Sequence, residues 1–210
     1  MKKTILVAAM LMAMGTGSAM AAKGDQLAGG QVTFNGQVDP ATCAATVSDS
    51  GKSSVNSDGV VTLSTVTLAD MKEAPGVQDA STGLQPKDFS IFVDCSGADE
   101  NLASVALYMG SADFANADGT LANNTNVTLG KSIKMANGVS IAVHELDDAG
   151  TLSLVNMINH SDDHNLGLDP TTHTGTYNLR ASYVKSAGAE DTDVTSGAVT
   201  TSSVYSVVYN

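Results

Sequence analysis

Residues 176–183 run Thr-Tyr-Asn-Leu-Arg-Ala-Ser-Tyr, and aromatic or aliphatic residues alternate strictly with polar ones in this stretch. A period of two places the apolar side chains on one face of an extended chain, so the stretch predicts a half-buried β-strand. The same pattern recurs at 30–38, 61–65, 89–95, 105–107 and 139–143, and residues 199–209 form a long run rich in β-branched residues. Turn pairs such as Asp118-Gly119 and Asn137-Gly138 separate or flank these segments. The sequence therefore predicts an all-β sandwich or barrel.

Two segments depart from the alternation. Residues 69–73 are typical of a short helix that Pro75-Gly76 would end. Residues 156–174 are polar and contain Gly167 and Pro170, so we expect a long loop there. No internal repeat or change of composition marks a second domain.

The first 21 residues have the features of a secretory signal peptide. Lys2 and Lys3 precede a short apolar run at 5–14, and small residues follow at 18–22. For an exported chain, the cysteine count of two favours one disulfide between Cys43 and Cys95. Two buried thiols or a redox pair are the alternatives, although a redox pair is normally spaced Cys-x-x-Cys.

The charge balance excludes several classes of partner. The chain has 10 basic and 22 acidic residues, and loss of Lys2 and Lys3 with the signal peptide makes the balance more negative. Such a protein is repelled by nucleic acid and by anionic membranes. Aromatic residues make up only 4% of the chain and tryptophan is absent, which disfavours a dedicated lectin.

Candidate catalytic and metal-binding residues are few. His160 and His164 have a spacing that would suit a zinc site on a helix, but their surroundings favour a solvated loop. We expect His144 and Glu145 to alternate outward at the end of a strand, and His173 has no evident partner. No nucleophile elbow, phosphate-binding loop or metalloprotease motif is present. The sequence predicts no catalytic residue, no metal site, no cofactor and no enzyme.

The two ends of the chain resemble a known family, the fimbrial subunits (pilins) of the chaperone–usher pathway of Gram-negative bacteria. Residues 29–38, Gly-Gly-Gln-Val-Thr-Phe-Asn-Gly-Gln-Val, are followed by Cys43 and match the family's donor-strand extension and first cysteine. Cys95 falls on a predicted strand, and residues 175–184 resemble the last strand but one. Gly197 stands fourteenth from the end and Tyr209 is penultimate, as in the family.

The resemblance implies an immunoglobulin-like sandwich that lacks its last strand and is completed by a strand from a partner. It implies a signal peptide at 1–21, a donor-strand extension at 22–40 and a pilin domain at 41–210. The donor residues would be Gly30, Val32, Phe34, Gly36 and Val38. The groove-edge strand, which also meets the chaperone, would contain Gly197, Tyr205, Val207 and Tyr209.

The implied function is that of a structural subunit of a surface fimbria, exported through the periplasm, which polymerises by donor-strand exchange and supports adhesion. Its partners would be other pilin subunits, a periplasmic chaperone and an outer-membrane usher, with a host receptor as a further candidate and no nucleic acid. One alternative is a minor or tip adhesin that binds a host receptor. A second is that 30–38 form an ordinary first strand of their own domain. A third is a periplasmic enzyme, which would need a His/Asp site that folding assembles from His144, His160, His164 and His173.

Overall fold

The computed structural model describes residues 43–49, 52–53, 58–98, 100–127, 133–158 and 164–209, all within one compact unit, Asp39–Asn210. In chain order the elements are β1 (Ala44–Asp49), β2 (Lys52–Ser53), α1 (Leu68–Lys72), β3 (Leu84–Asp94), β4 (Ser104–Gly110), β5 (Leu121–Ala122), β6 (Val139–Leu146), β7 (Leu152–Leu154), β8 (His164–Gly167), β9 (Thr174–Lys185) and β10 (Val204–Tyr209). The predicted all-β fold is therefore confirmed. No helix in the described ranges is long and apolar enough to cross a membrane.

The strands form two sheets that share one core. The larger sheet has the order β2-β1-β3-β9-β6-β5, with β7 also paired to β6, and the smaller has the order β10-β4-β8. Every strand pair is antiparallel. The main core cluster joins Ile91 and Leu179 of the larger sheet to Leu107 of the smaller one. Burial of these inner faces, at about 25 cal/mol per Å² of apolar surface, is the main force that holds the sheets together.

The alternation in the sequence predicts the core-facing residues well. In β3, Ile91 and Val93 are buried while Phe92 between them is 39% exposed. In β9, Tyr177 is buried and its hydroxyl donates to the carbonyl oxygen of Val105 in β4, at 3.1 Å. Burial raises the pKa of the Tyr177 phenol well above its ordinary value, and the nearby charge of Glu145 adds to the rise. This hydrogen bond links the two sheets through the core.

The prediction that His144 points outward to solvent is wrong. The side chain lies on the face of β6 opposite to core residue Val143, yet it is completely buried. Residues 74–83 cover this face: His144 Nε2 lies 2.7 Å from the carbonyl oxygen of Gln78, and the carboxylate of Asp79 accepts from the amide of Leu154. Since a carbonyl oxygen only accepts, this hydrogen bond requires a proton on Nε2 of His144.

Two other local predictions change and one is confirmed. The alternating residues 61–65 form no strand, and the supposed loop at 156–174 contains β8, which pairs with β4. The predicted helix is present as α1. Its N-cap is Thr67, whose Oγ1 accepts from the amide of Asp70 at 3.1 Å.

The predicted disulfide between Cys43 and Cys95 is present. The register that pairs Ala44 with Asp94 brings the two cysteines together at the ends of adjacent strands, with their Cα atoms 4.1 Å apart. Cys95 is buried and packs in the main core. The bond therefore fixes the β1–β3 pair at one end of the larger sheet.

Several scattered acidic residues act as hydrogen-bond acceptors in turns. The carboxylate of Asp94 accepts from the amide of Ser96, that of Asp147 from Thr151, and that of Asp169 from Thr171 and Thr172. These amide donors hold the pKa of each carboxyl below its ordinary value. Part of the negative charge of the chain therefore stabilises turns.

Candidate functional site at the last strand

The last described strand, β10, carries a partly covered apolar face. It pairs with β4 along one edge, with Val204 opposite Gly110 and Tyr209 opposite Val105. Tyr205 and Val207 point inward and pack on the main core, but both are only half-buried. Val204 points to the other side and is 66% exposed. The inner face of β10 is thus part of the core without being closed off from solvent.

An extended segment, residues 58–67, also lies against this core. Val61, Leu63 and Val66 are half-buried among exposed neighbours; Leu63 packs on the main core, whereas Val66 packs on a second cluster that contains Met71. Burial raises the pKa of the Tyr205 phenol, and the negative charge of Asp58 raises it further, which places the start of the segment near β10. Within the described residues, no backbone hydrogen bond joins 59–66 to a strand. Residues 59–66 therefore have half-buried side chains without a backbone hydrogen bond to a strand among the described residues.

The chain that leads into β10 is fixed at Gly197. Ala198 forms a parallel bridge with Met135, in which the amide of Ala136 donates to Ala198 at 2.9 Å and the amide of Ala198 donates to Lys134 at 2.8 Å. A Cβ at Gly197 would lie 2.4 Å from the backbone nitrogen of Ala136. Only glycine permits this approach of two backbones.

Comparison with known proteins identifies the family of this chain. The family model described as "Fimbrial protein" matches residues 32–210. The chain belongs to this fimbrial family. No curated protein sequence matches it. Among solved structures it is similar to the CupB6 tip adhesin from Pseudomonas aeruginosa, with 10% identity and a TM-score of 0.45 over 80% of this chain. The fimbrial chain spans 44% of the length of that structure.

The sequence-predicted groove-edge residues of the fimbrial chain occupy two places. Tyr205, Val207 and Tyr209 share one face of β10. Gly197 lies seven residues before that strand, at the backbone bridge, where it positions the chain that enters β10. The predicted donor residues Gly30, Val32, Phe34, Gly36 and Val38 lie outside the described residues.

Asn123 is a residue at this site that sequence reasoning missed. Its side-chain nitrogen donates to the carbonyl oxygens of Ala136 at 2.7 Å and Ala198 at 3.0 Å, and its oxygen accepts from the amide of Thr200 at 2.8 Å. The sequence around it, Asn-Asn-Thr-Asn at 123–126, is typical of a turn. Nothing local in that stretch indicates contacts with residues more than seventy positions away.

The histidines do not assemble a metal centre in the described part of the fimbrial chain. His164 begins β8, and its Nδ1 contacts the carboxylate of Glu145 in β6, which joins the smaller sheet to the larger one. His160, its proposed companion, lies outside the described residues. Across the described ranges, no group of three or more His, Cys, Asp or Glu side chains is arranged to hold a metal ion.

Proposed function

We propose that this fimbrial protein is a structural subunit of a bacterial surface fimbria. We further propose that β10 accepts an extended strand from a partner along the edge opposite to the one that pairs with β4. The observation that carries the proposal is the half-buried face of Tyr205 and Val207, which packs on the core beside the extended segment 58–67. An added strand would exchange backbone hydrogen bonds with such an edge, and its alternate side chains would cover the apolar face.

The partner strand comes from two sources in turn. A periplasmic chaperone occupies the edge first, and the N-terminal extension of another copy replaces it during assembly at an outer-membrane usher. The extension that matches this role is 22–40, with Gly30, Val32, Phe34, Gly36 and Val38 on one face. Burial of Val32 or Phe34 in the neighbour would contribute roughly 1.5–3 kcal/mol each. The domain 41–210 is then an immunoglobulin-like sandwich without its last strand, and the signal peptide 1–21 directs its export.

The acceptor side is tested by two substitutions in the same strand. Val207→Asp places a charge on the half-buried inner face, whereas Val204→Asp places the same charge on the side that is 66% exposed. We expect Val207→Asp to abolish capture by the co-expressed chaperone, because an unpaired charge in an apolar contact is costly. The variant should also lack the ladder of subunit multimers, dissociated by heat, that fibres give on an unboiled denaturing gel. Val204→Asp should leave both intact. Equal effects of the two variants would contradict the proposal.

The donor side is tested by Phe34→Asp. In this proposal Phe34 packs on another subunit, so the variant should still bind the chaperone and fail only to polymerise. If 30–38 form an ordinary strand of their own domain, the charge unfolds that domain and the chaperone complex is lost as well. Co-purification with the chaperone, followed by the gel assay for fibres, separates these outcomes. Normal fibres from the variant would contradict both readings.

A further inference from the structure

Asn123 joins three separate backbone segments at the point where the chain crosses between the sheets. It directly follows β5, an edge strand of the larger sheet, and its side chain contacts Ala136 and the stretch from Ala198 to Thr200. The amide of Asn124 also donates to the carbonyl oxygen of Thr200, at 2.8 Å. Ala198 and Thr200 are thereby tied to the larger sheet, although the strand that follows them belongs to the smaller one.

The orientation of the Asn123 amide is fixed by its partners. Its nitrogen faces two carbonyl oxygens and its oxygen faces one backbone N–H. A flipped amide would bring oxygen against oxygen twice and nitrogen against a donor once, so only one orientation satisfies all three bonds. No other residue type has an acceptor and two donors at this distance from its Cα, which makes the site specific for asparagine.

Thr200 is only four residues before Val204, the first residue of β10 to pair with β4. So short a connection leaves little slack for the strand to slide along its neighbour. A slip of one residue would turn Tyr205 and Val207 away from the core and turn Val204 and Ser206 toward it. We infer that Asn123 is a positioning residue that sets the register of β10, and so decides which side chains face the incoming strand. Its functional meaning rests on the function proposed above.

Hydrogen exchange measured by mass spectrometry on the full chain tests whether Asn123 holds β10 in place. Asn123→Ala removes three hydrogen bonds to backbone atoms, and we expect peptides covering 198–209 to exchange roughly tenfold faster or more, relative to peptides of β9. The matched control is Asn116→Ala, which removes side-chain bonds to Thr120 and Ser140 without touching 198–209. The control should leave that ratio unchanged. An unchanged ratio in Asn123→Ala, or an equal change in the control, would overturn the inference.

A disulfide cross-link tests the register of the β10–β4 pair directly. Ser206 and Tyr108 are opposite each other in the β10–β4 pair, so Ser206→Cys with Tyr108→Cys should form a disulfide under mild oxidation. We expect Asn123→Ala to reduce its yield several-fold and Asn116→Ala to leave it unchanged. The same yield in all backgrounds would show that the register does not depend on Asn123.

Asn123→Gln is the second variant if Asn123→Ala is not recovered folded, because it keeps an amide but places it one methylene farther from the Cα, away from the three backbone partners. If neither variant folds while Asn116→Ala does, Asn123 supports the whole fold and the inference is wrong. Chaperone capture is measured on the same proteins. Failure of the unchanged chain to be captured would refute the proposed function, whereas the exchange and cross-link results would still decide the role of Asn123.

Discussion

Gly197→Ala is the sharpest single test of how the last strand is held. Alanine is conformationally acceptable at this position, since Gly197 does not have a positive φ. The problem is space: the new Cβ would lie 2.4 Å from the nitrogen of Ala136, 2.5 Å from the carbonyl carbon of Met135 and 2.6 Å from the oxygen of Lys134. All three are backbone atoms, so no side-chain rotation can relieve the contact.

The cost follows from the geometry. Restoring an ordinary contact moves the two backbones apart by about 1 Å, which stretches the hydrogen bonds of the Met135–Ala198 bridge beyond their useful range. Loss of two such bonds costs about 2 kcal/mol, and residual overpacking adds about 1–3 kcal/mol. The lower entropy of alanine in the unfolded chain offsets roughly 0.4–1 kcal/mol of this. We therefore expect a net loss of about 2–4 kcal/mol in the free energy of unfolding.

Urea denaturation of the purified protein measures this loss. Gly76→Ala is the matched control, because nothing lies within 4 Å of a Cβ there and the backbone is not in the left-handed region. The control should change the free energy of unfolding by no more than about 0.5 kcal/mol. If Gly197→Ala were as stable as this control, the close approach of the two backbones would not be what requires glycine.

Three further predictions concern stability. Replacing Cys43 and Cys95 together by alanine should lower the free energy of unfolding by about 4 kcal/mol in the chain-entropy model for a separation of 52 residues, and reduction should then no longer affect the urea midpoint. Tyr177→Phe should cost about 1–2 kcal/mol because the bond to Val105 is lost, while Tyr183→Phe should cost less than about 0.5 kcal/mol; similar losses in both would contradict the inter-sheet bond. The hydrogen bond from Arg180 lowers the pKa of Asp88, and turn amides lower the pKa values of Asp94, Asp147 and Asp169. The contribution of these carboxylates to folding stability is therefore complete above the ordinary pKa of 3.8, and it is lost as the pH falls through their lower pKa values in the folded state. The thermal midpoint temperature should therefore decrease as the pH is lowered below 3.8. A midpoint temperature that increases in this range would contradict these assignments.

The sequence predicts side-chain burial better than it predicts hydrogen bonding. The period of two identified the buried faces of β3, β6 and β9, because alternation directly records which side of an extended chain meets the core. It could not show that 74–83 cover the opposite face of β6, so His144 was assigned outward when it is buried. It also missed β8, because a strand with half-exposed residues has the composition of a loop. The role of Asn123 is missed for a related reason, since two of its three partners, Ala198 and Thr200, are more than seventy residues away in the chain.

Residues 58–67 also show that the sequence predicts side-chain burial better than backbone hydrogen bonding, here next to the candidate functional site. The alternation at 61–65 predicts a strand, and Val61 and Leu63 within it are half-buried, yet no strand is formed there in the described structure. Since a strand is defined by backbone hydrogen bonds to a neighbour, a segment can have strand-like burial and still need a partner to become one. The inner face of β10 has the complementary property, an apolar surface that its own sheet only half covers. A strand added beside β10 would cover that surface, as the function proposed above requires.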